Sequence, residues 1–339
     1  MRFRDSSMTR SEPSAVPAAV SGGRRRHRGA AGDSVFHVAV WAAACFVLAV
    51  LAAIIIFLAW RAVPALRADT ANFWTTTRWL PDNTPPAFGV AALAFGTFLS
   101  AALALVIAVP VALGTALFAT EYASPRVGPW LGYLVDLLAA VPSVVYGLWG
   151  LYWLVPHLTP VQHGLARTLG FIPLFSDPRG VTAQPSRSIF AVSLILAVMI
   201  IPIIAAVSRE IFLQVEPGLR EAALGIGATR WDMIRLAVLP VSRFGLFGAV
   251  MLGLGRALGE TIAVALVLGS SFSIDFHLLV PGKNTIAANI ATQFAEAGPT
   301  GRSALIASGL VLFGMTIVTA LLARFIIRRS GAQERSAIV

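Results

Sequence analysis

Polar and apolar positions along this chain do not alternate; they are segregated into blocks. Six predominantly apolar runs, at 35–60, 89–119, 130–155, 188–207, 244–269 and 303–323, are each about the 20 residues or more that cross a bilayer as a helix. The stretches between them hold nearly all of the charge. The pattern predicts an all-α integral membrane protein with six transmembrane helices. Pro110, Pro142 and Pro202 fall inside three of the runs. In a bundle, neighbouring helices re-satisfy the backbone groups that a proline frees, so all three runs still read as crossings. The second run reads either as one tilted helix kinked at Pro110 or as a helix with an interfacial extension. Trp74, Trp79, Trp149 and Trp153 suit an external aromatic belt.

Composition agrees with that reading. Hydrophobic residues make up 57% of the 339 positions and charged residues 12%, against about a quarter charged in an ordinary soluble domain. Basic residues set the orientation. With the N-terminus inside, the inner segments (1–34, 120–129, 208–243 and 324–339) hold seventeen of them and the outer segments eight. This is the positive-inside bias, and it places both termini in the cytoplasm of a bacterial inner membrane. Residues 1–34, with Arg24-Arg25-Arg26-His27-Arg28, read as a disordered basic tail that anchors the first helix, with Met8 as an alternative start; residues 331–339 read as a second cytoplasmic tail. The net charge of +10 comes largely from these flanks and calls for no nucleic acid. Cys45 is the only cysteine and the five histidines are scattered, so neither a disulfide nor a metal site is expected. Lys283 is the sole lysine among 26 basic residues, so arginine enrichment by itself carries no functional meaning.

One inner segment, 208–243, is dense in charge and glycine. Leu219 to Ile226 has helix-forming composition with Glu221 near its start, where a carboxylate suits the positive end of the dipole. Gly227 supplies the freedom to turn, and Arg230 to Val238 suits a second short helix ended by Pro240. Two short helices at an angle, carrying Arg220, Arg230, Asp232 and Arg235, make a rigid polar knob fitted to a groove on a soluble partner. Glu221, Ala222, Ala223, Gly227, Leu239 and Pro240 fall in register with the EAA loop of ABC-importer membrane subunits, which the segment resembles; Ala237 stands where that family usually has isoleucine. The resemblance implies a type I ABC-importer permease in which this loop couples to a separate ATPase. The chain has no G-x-x-x-x-G-K-[ST] segment, so no ATP site of that kind is its own.

The fifth run holds Arg256 near its middle and Glu260 four residues on, on one helical face and about 6 Å apart along the axis. A charge at that depth costs roughly 2.5–3.5 kcal/mol on insertion scales, so such residues face a bundle interior or an aqueous path. Mutual neutralisation is the plain alternative. Arginine's fork of donors matches a tetrahedral oxyanion, and a glutamate accepts a hydrogen bond from an oxyanion that keeps a proton, as phosphate does near neutral pH and sulfate does not. Gly255 and Gly259 have the spacing that lets helices approach closely. Asp136, six residues into the third run, is expected to be paired near the inner headgroups, and Glu121, Tyr122 and Arg126 to cap the second helix and touch the ATPase weakly.

The stretches Ala139–Gly147, Arg256–Thr261 and Asn284–Ile290 are similar to those of PstC-type membrane subunits of phosphate ABC importers, over about residues 35 to 330. That resemblance implies that Arg256 and Glu260 line a phosphate path, and that a PstA-like sister subunit, an ATPase dimer carrying ATP and Mg, and an external phosphate-binding protein are partners, with lipid around the whole. No cofactor is expected in this chain. The same architecture would also suit sulfate, molybdate or a polar amino acid; a secondary transporter or channel without an ATPase is the alternative of another class.

Overall fold

The computed structural model describes residues 30–176, 187–269 and 271–336. Most of the basic tail therefore lies outside the described residues. The chain divides into two units, Met1–Ile54 and Ile55–Val339. In the first, the described residues form the start of helix α1 (Ala30–Ala68), with large apolar side chains such as Phe36, Trp41 and Phe46 exposed, as a lipid-facing surface would be. All that follows concerns the second unit.

After α1 the chain makes a short antiparallel pair, β1 (Trp79–Leu80) with β2 (Ala87–Phe88), and enters α2 (Ala91–Leu117), whose last turn widens into a π-helical segment, Phe118–Tyr122. Next come α3 (Val127–Ala139), α4 (Ser143–Trp149), a second π segment at Gly150–Leu154 and α5 (Val155–Leu169), followed by α6 (Ile189–Leu213). The loop region holds α7 (Pro217–Gly225) and α8 (Arg230–Met233), then a third π segment, Ile234–Val238, that runs into α9 (Leu239–Leu258). Helices α10 (Ile262–Val267), α11 (Ile286–Gln293) and α12 (Pro299–Ser336) complete it. Among the described residues five helices are long and apolar enough to cross a membrane, six if the bent pair of α3 with α4–α5 counts as one crossing.

Helices α2 and α6 form the centre. Ala101, Ala104, Ala108 and Ala112 give α2 a fully buried stripe of small side chains, against which Ile195, Leu196, Met199, Ile200 and Ile204 of α6 pack. Small residues let the backbones approach, and dispersion then holds them in a setting where the hydrophobic effect does not. Each end has its own apolar cluster: Trp79, Phe88, Leu93, Ile286 and Leu305 at one, Ala116, Phe212, Met233, Ile234 and Val238 at the other.

The structure departs from the expected crossings in particular places. The third run is not one helix: α3 and α4 meet at 87°, with Pro142 extended at φ −59° and ψ 139°. Proline lacks the N–H for the helical ladder and its ring disfavours a helical residue before it. Pro110 and Pro202 lie inside unbroken α2 and α6. The fifth crossing starts earlier than 244: the helix from Arg230 does not stop at Pro240 but continues to Leu258. The π segment immediately before Pro240 widens the turn where its ring would meet the preceding carbonyl. That crossing then breaks at Gly259–Thr261. The last helix, α12, runs on through Ser336 into the expected C-terminal tail. Trp79 is not on an interfacial belt; it is 5% exposed, edge-on to Phe88, with its indole N–H donating to Gln293 Oε1 at 2.8 Å.

Candidate functional site

The first region is the helical break in the fifth crossing. Arg256 sits in the last turn of α9 with its side chain exposed, and it lies on the same open side as Leu252, Gly255 and Gly259. Gly255 has no neighbour within 4 Å of a would-be Cβ, so Gly255 and Gly259 do not form a packing contact within this chain. Gly253 does: its would-be Cβ falls 2.6 Å from Ile204 Cδ1, because it shares the α6-facing side with Ala249 and Ala257. Glycine spacing alone could not say which face of the helix meets α6.

Glu260 is not one turn further along the same helix. The helix ends at Leu258, and Glu260 turns inward to 8% exposure, where its Oε1 accepts the Ala263 N–H at 3.2 Å. A carboxylate at that position satisfies one of the donors that the start of α10 leaves free. No ion pair joins Arg256 to Glu260 among the described residues. The sequence motif thus separates into an exposed guanidinium and a buried carboxylate, on either side of Gly259.

The bend in the third crossing faces this break. Tyr146, one turn into α4, donates its hydroxyl to the Leu138 carbonyl at 2.9 Å, filling a position the bend had opened. Helices α4 and α10 pack on each other through Gly147, which abuts Ala263. Two crossings are therefore interrupted, and the segments beyond the interruptions pack together.

The second region is the loop between α6 and α9. Gly227 turns it with φ +88°, a left-handed conformation that glycine adopts without strain. Thr229 begins the second limb with a complete capping box: its hydroxyl accepts from the Asp232 N–H at 3.2 Å, and Asp232 accepts from the Thr229 N–H at 3.3 Å. Glu221 and Ala222 are exposed on α7, Ala223 packs against the Phe212–Met233–Ile234 cluster, Leu239 joins that cluster and Pro240 is exposed in the first turn of α9. Leu224 and Trp231 are exposed beside Ile226, which is 88% exposed. Charged and apolar side chains are thus displayed together on a knob whose underside is fixed.

Glu121, expected to cap α2, lies in the turn that ends it, with its side chain buried beneath the knob and paired with Arg220 at 3.0 Å. Asp136 is paired as expected, with Arg209 at 3.3 Å. Beyond the opposite ends of the crossings, Lys283 is buried and ion-paired with Asp275 at 2.9 Å, also donating to the Asp275 and His277 carbonyls.

Known proteins resemble the chain in sequence. Residues 108–331 match the family described as binding-protein-dependent transport system inner membrane component. The phosphate transport system permease protein PstC 2 of Mycobacterium tuberculosis is 44% identical over 319 residues, covering 93% of this chain and 97% of that one. The phosphate transport system permease protein PstC of Xylella fastidiosa is 38% identical over 318 residues, covering 92% and 95%. Among solved structures, a bacterial ABC transporter involved in the import of the acidic polysaccharide alginate matches with TM-score 0.49 and 18% identity over 70% of this chain and 78% of that one. An inward-facing form of the MetNI methionine ABC transporter matches with TM-score 0.47 and 17% identity over 71% and 94%. The chain belongs to the binding-protein-dependent transport system inner membrane component family, as a PstC-type permease.

Proposed function

We propose that this chain is the membrane-spanning subunit of an ATP-driven inorganic phosphate importer, of type I architecture, forming half of an alternating-access path. The observation that carries the reading is the open side of α9, where an arginine stands exposed beside a break in a membrane helix, with no counter-ion from its own chain among the described residues. An uncompensated guanidinium at that depth is costly unless an anion or water reaches it. The names of the relatives, covering nearly the whole chain, supply phosphate as the anion.

In this reading a PstA-like sister subunit closes the open side of α9. An ATPase dimer, carrying ATP and Mg, docks on the Pro217–Val238 knob through Glu221, Ala222 and the exposed Ile226. An external phosphate-binding protein delivers the ion at the opposite face, and the chain itself hydrolyses nothing. Seventeen basic residues against eight support a cytoplasmic knob and cytoplasmic termini.

The test is uptake of labelled phosphate in cells carrying the native chain or Arg256→Gln, with matched expression and with excess sulfate and molybdate as competitors. Uptake that ignores the competitors and collapses in the variant is expected. Uptake of sulfate or molybdate in place of phosphate overturns the substrate assignment; uptake independent of any ATPase overturns the coupling.

A further inference from the structure

Glu121 lies in the π turn that ends α2, in a short connection where an acidic side chain would ordinarily be solvated. Its side chain is 5% exposed. Both of its partners come from the knob, and each comes from a different limb. From α7, Arg220 donates through Nε and Nη2 to Glu121 Oε1 at 3.3 and 3.0 Å, while the same guanidinium reaches the Val215 and Phe212 carbonyls at the end of α6 at 2.5 and 2.6 Å. From α8, Arg230 Nη1 donates to the Glu121 carbonyl at 3.2 Å. One residue at the tip of α2 thus holds both limbs of the knob and, through Arg220, the end of α6.

We propose that Glu121 is a positioning residue for coupling, tying α7 and α8 to the tip of α2 so that a displacement of the knob moves α2 and α9 together. This rests on the coupling role given to the knob above. Apart from this network, α7 is held by the connection 214–216, by the Gly227 turn and by Ala223 against the Phe212–Met233–Ile234 cluster. Apolar contact is non-directional, so it resists separation but permits sliding. Charge-assisted hydrogen bonds to one carboxylate oxygen and two main-chain carbonyls fix direction as well as distance. Exposed ion pairs contribute little, but this carboxylate is buried and its partner is committed to it. Because α2 forms the centre of the bundle with α6, a knob fixed to the tip of α2 acts on the core itself.

The experiment uses the full complex of permease pair, ATPase and binding protein in proteoliposomes, with the native chain, Glu121→Gln and Glu121→Asp. ATP hydrolysis, phosphate uptake and the amount of ATPase retained on purification are read together. In Glu121→Gln the ATPase is retained and still hydrolyses ATP, while phosphate taken up per ATP falls about tenfold, within the range of coupling between sites; Glu121→Asp recovers most of it. Unchanged uptake per ATP in Glu121→Gln overturns the proposal. So does loss of the ATPase from both variants, which would assign Glu121 to the shape of the docking surface alone. A native complex that takes up phosphate without hydrolysing ATP overturns the importer reading itself, which separates the two failures.

Discussion

Gly147 of α4 abuts Ala263 of α10 so closely that a Cβ on the glycine would stand 2.8 Å from the Ala263 Cα. The obstacle is main chain and does not swing aside as a side-chain tip would. Gly147→Ala is therefore expected to destabilise the protein by about 1–3 kcal/mol, the usual cost of overpacking. Gly248→Ala is the control, since nothing lies within 4 Å of its would-be Cβ inside α9. Thermal unfolding in detergent should show a lowered midpoint for the first and an unchanged or raised one for the second.

Glu260 combines a helix-starting acceptor with a charge, and two substitutions separate them. Glu260→Ala removes the acceptor of the Ala263 N–H and should cost about 0.5–2 kcal/mol, as loss of a cap does. Glu260→Gln keeps an acceptor oxygen and should leave the unfolding midpoint in place while phosphate uptake drops. Full uptake in Glu260→Gln would reduce the residue to a cap.

Two glycines two residues apart in the knob should respond oppositely to alanine. Gly225 ends α7 with open space around it, so Gly225→Ala should stabilise by up to about 1 kcal/mol through helix propensity. Gly227 also has open space, but its φ of +88° penalises any Cβ, and Gly227→Ala should cost about 1–2 kcal/mol. Both are read by thermal unfolding. A loss in both would mean that the knob is sensitive to bulk rather than to backbone conformation.

Lys283 and Asp275 join two parts of the segment between α10 and α11. Lys283→Met removes the cationic partner of Asp275, which keeps its bonds from Ser273 and His277 and is partly exposed, and should cost about 1–3 kcal/mol. Burial pushes the Asp275 carboxyl up, but hydrogen bonds and charge from Lys283, the Ser273 hydroxyl and the His277 amide outweigh it and hold the group below its ordinary 3.8. A carboxyl lowered on folding stabilises fully above its unfolded value, and that contribution is lost as pH falls through the lower folded value. The difference in unfolding midpoint between the native chain and Asp275→Asn should therefore be flat from neutral pH down to about 4 and shrink below it.

Much of the knob is legible in its own residues. Gly227 takes the left-handed turn that its position between two helix-forming stretches predicts, and Arg256 announces itself as an isolated charge in an apolar run. The interruptions are less legible. Pro142 breaks a crossing while Pro110 and Pro202 do not, so residue type alone does not decide. The break after Leu258 has no proline at all, and Glu260 was assigned to the helical face of Arg256 on periodicity that stops two residues short of it. Glu121 and Arg220 are 99 positions apart, and Trp79 and Gln293 are 214 apart. No local pattern encodes such pairs. Each looks like an exposed loop or interfacial residue until the chain brings its partner alongside.

The continuity of the helix from Arg230 to Leu258 has a mechanical consequence. Arg230 and Arg256 are carried on one beam about 39 Å long, and tilting such a beam by about 1° shifts its far end by about 0.7 Å relative to the near one. The helix runs unbroken through Pro240 and through Gly245, Gly248, Gly253 and Gly255; its free end is the irregular step at Gly259–Thr261. Beyond that step α10 is braced against α4 through Gly147. Under the coupling proposed above, a tilt entering at the knob would reach the step at Gly259–Thr261, which separates the exposed Arg256 from the buried Glu260.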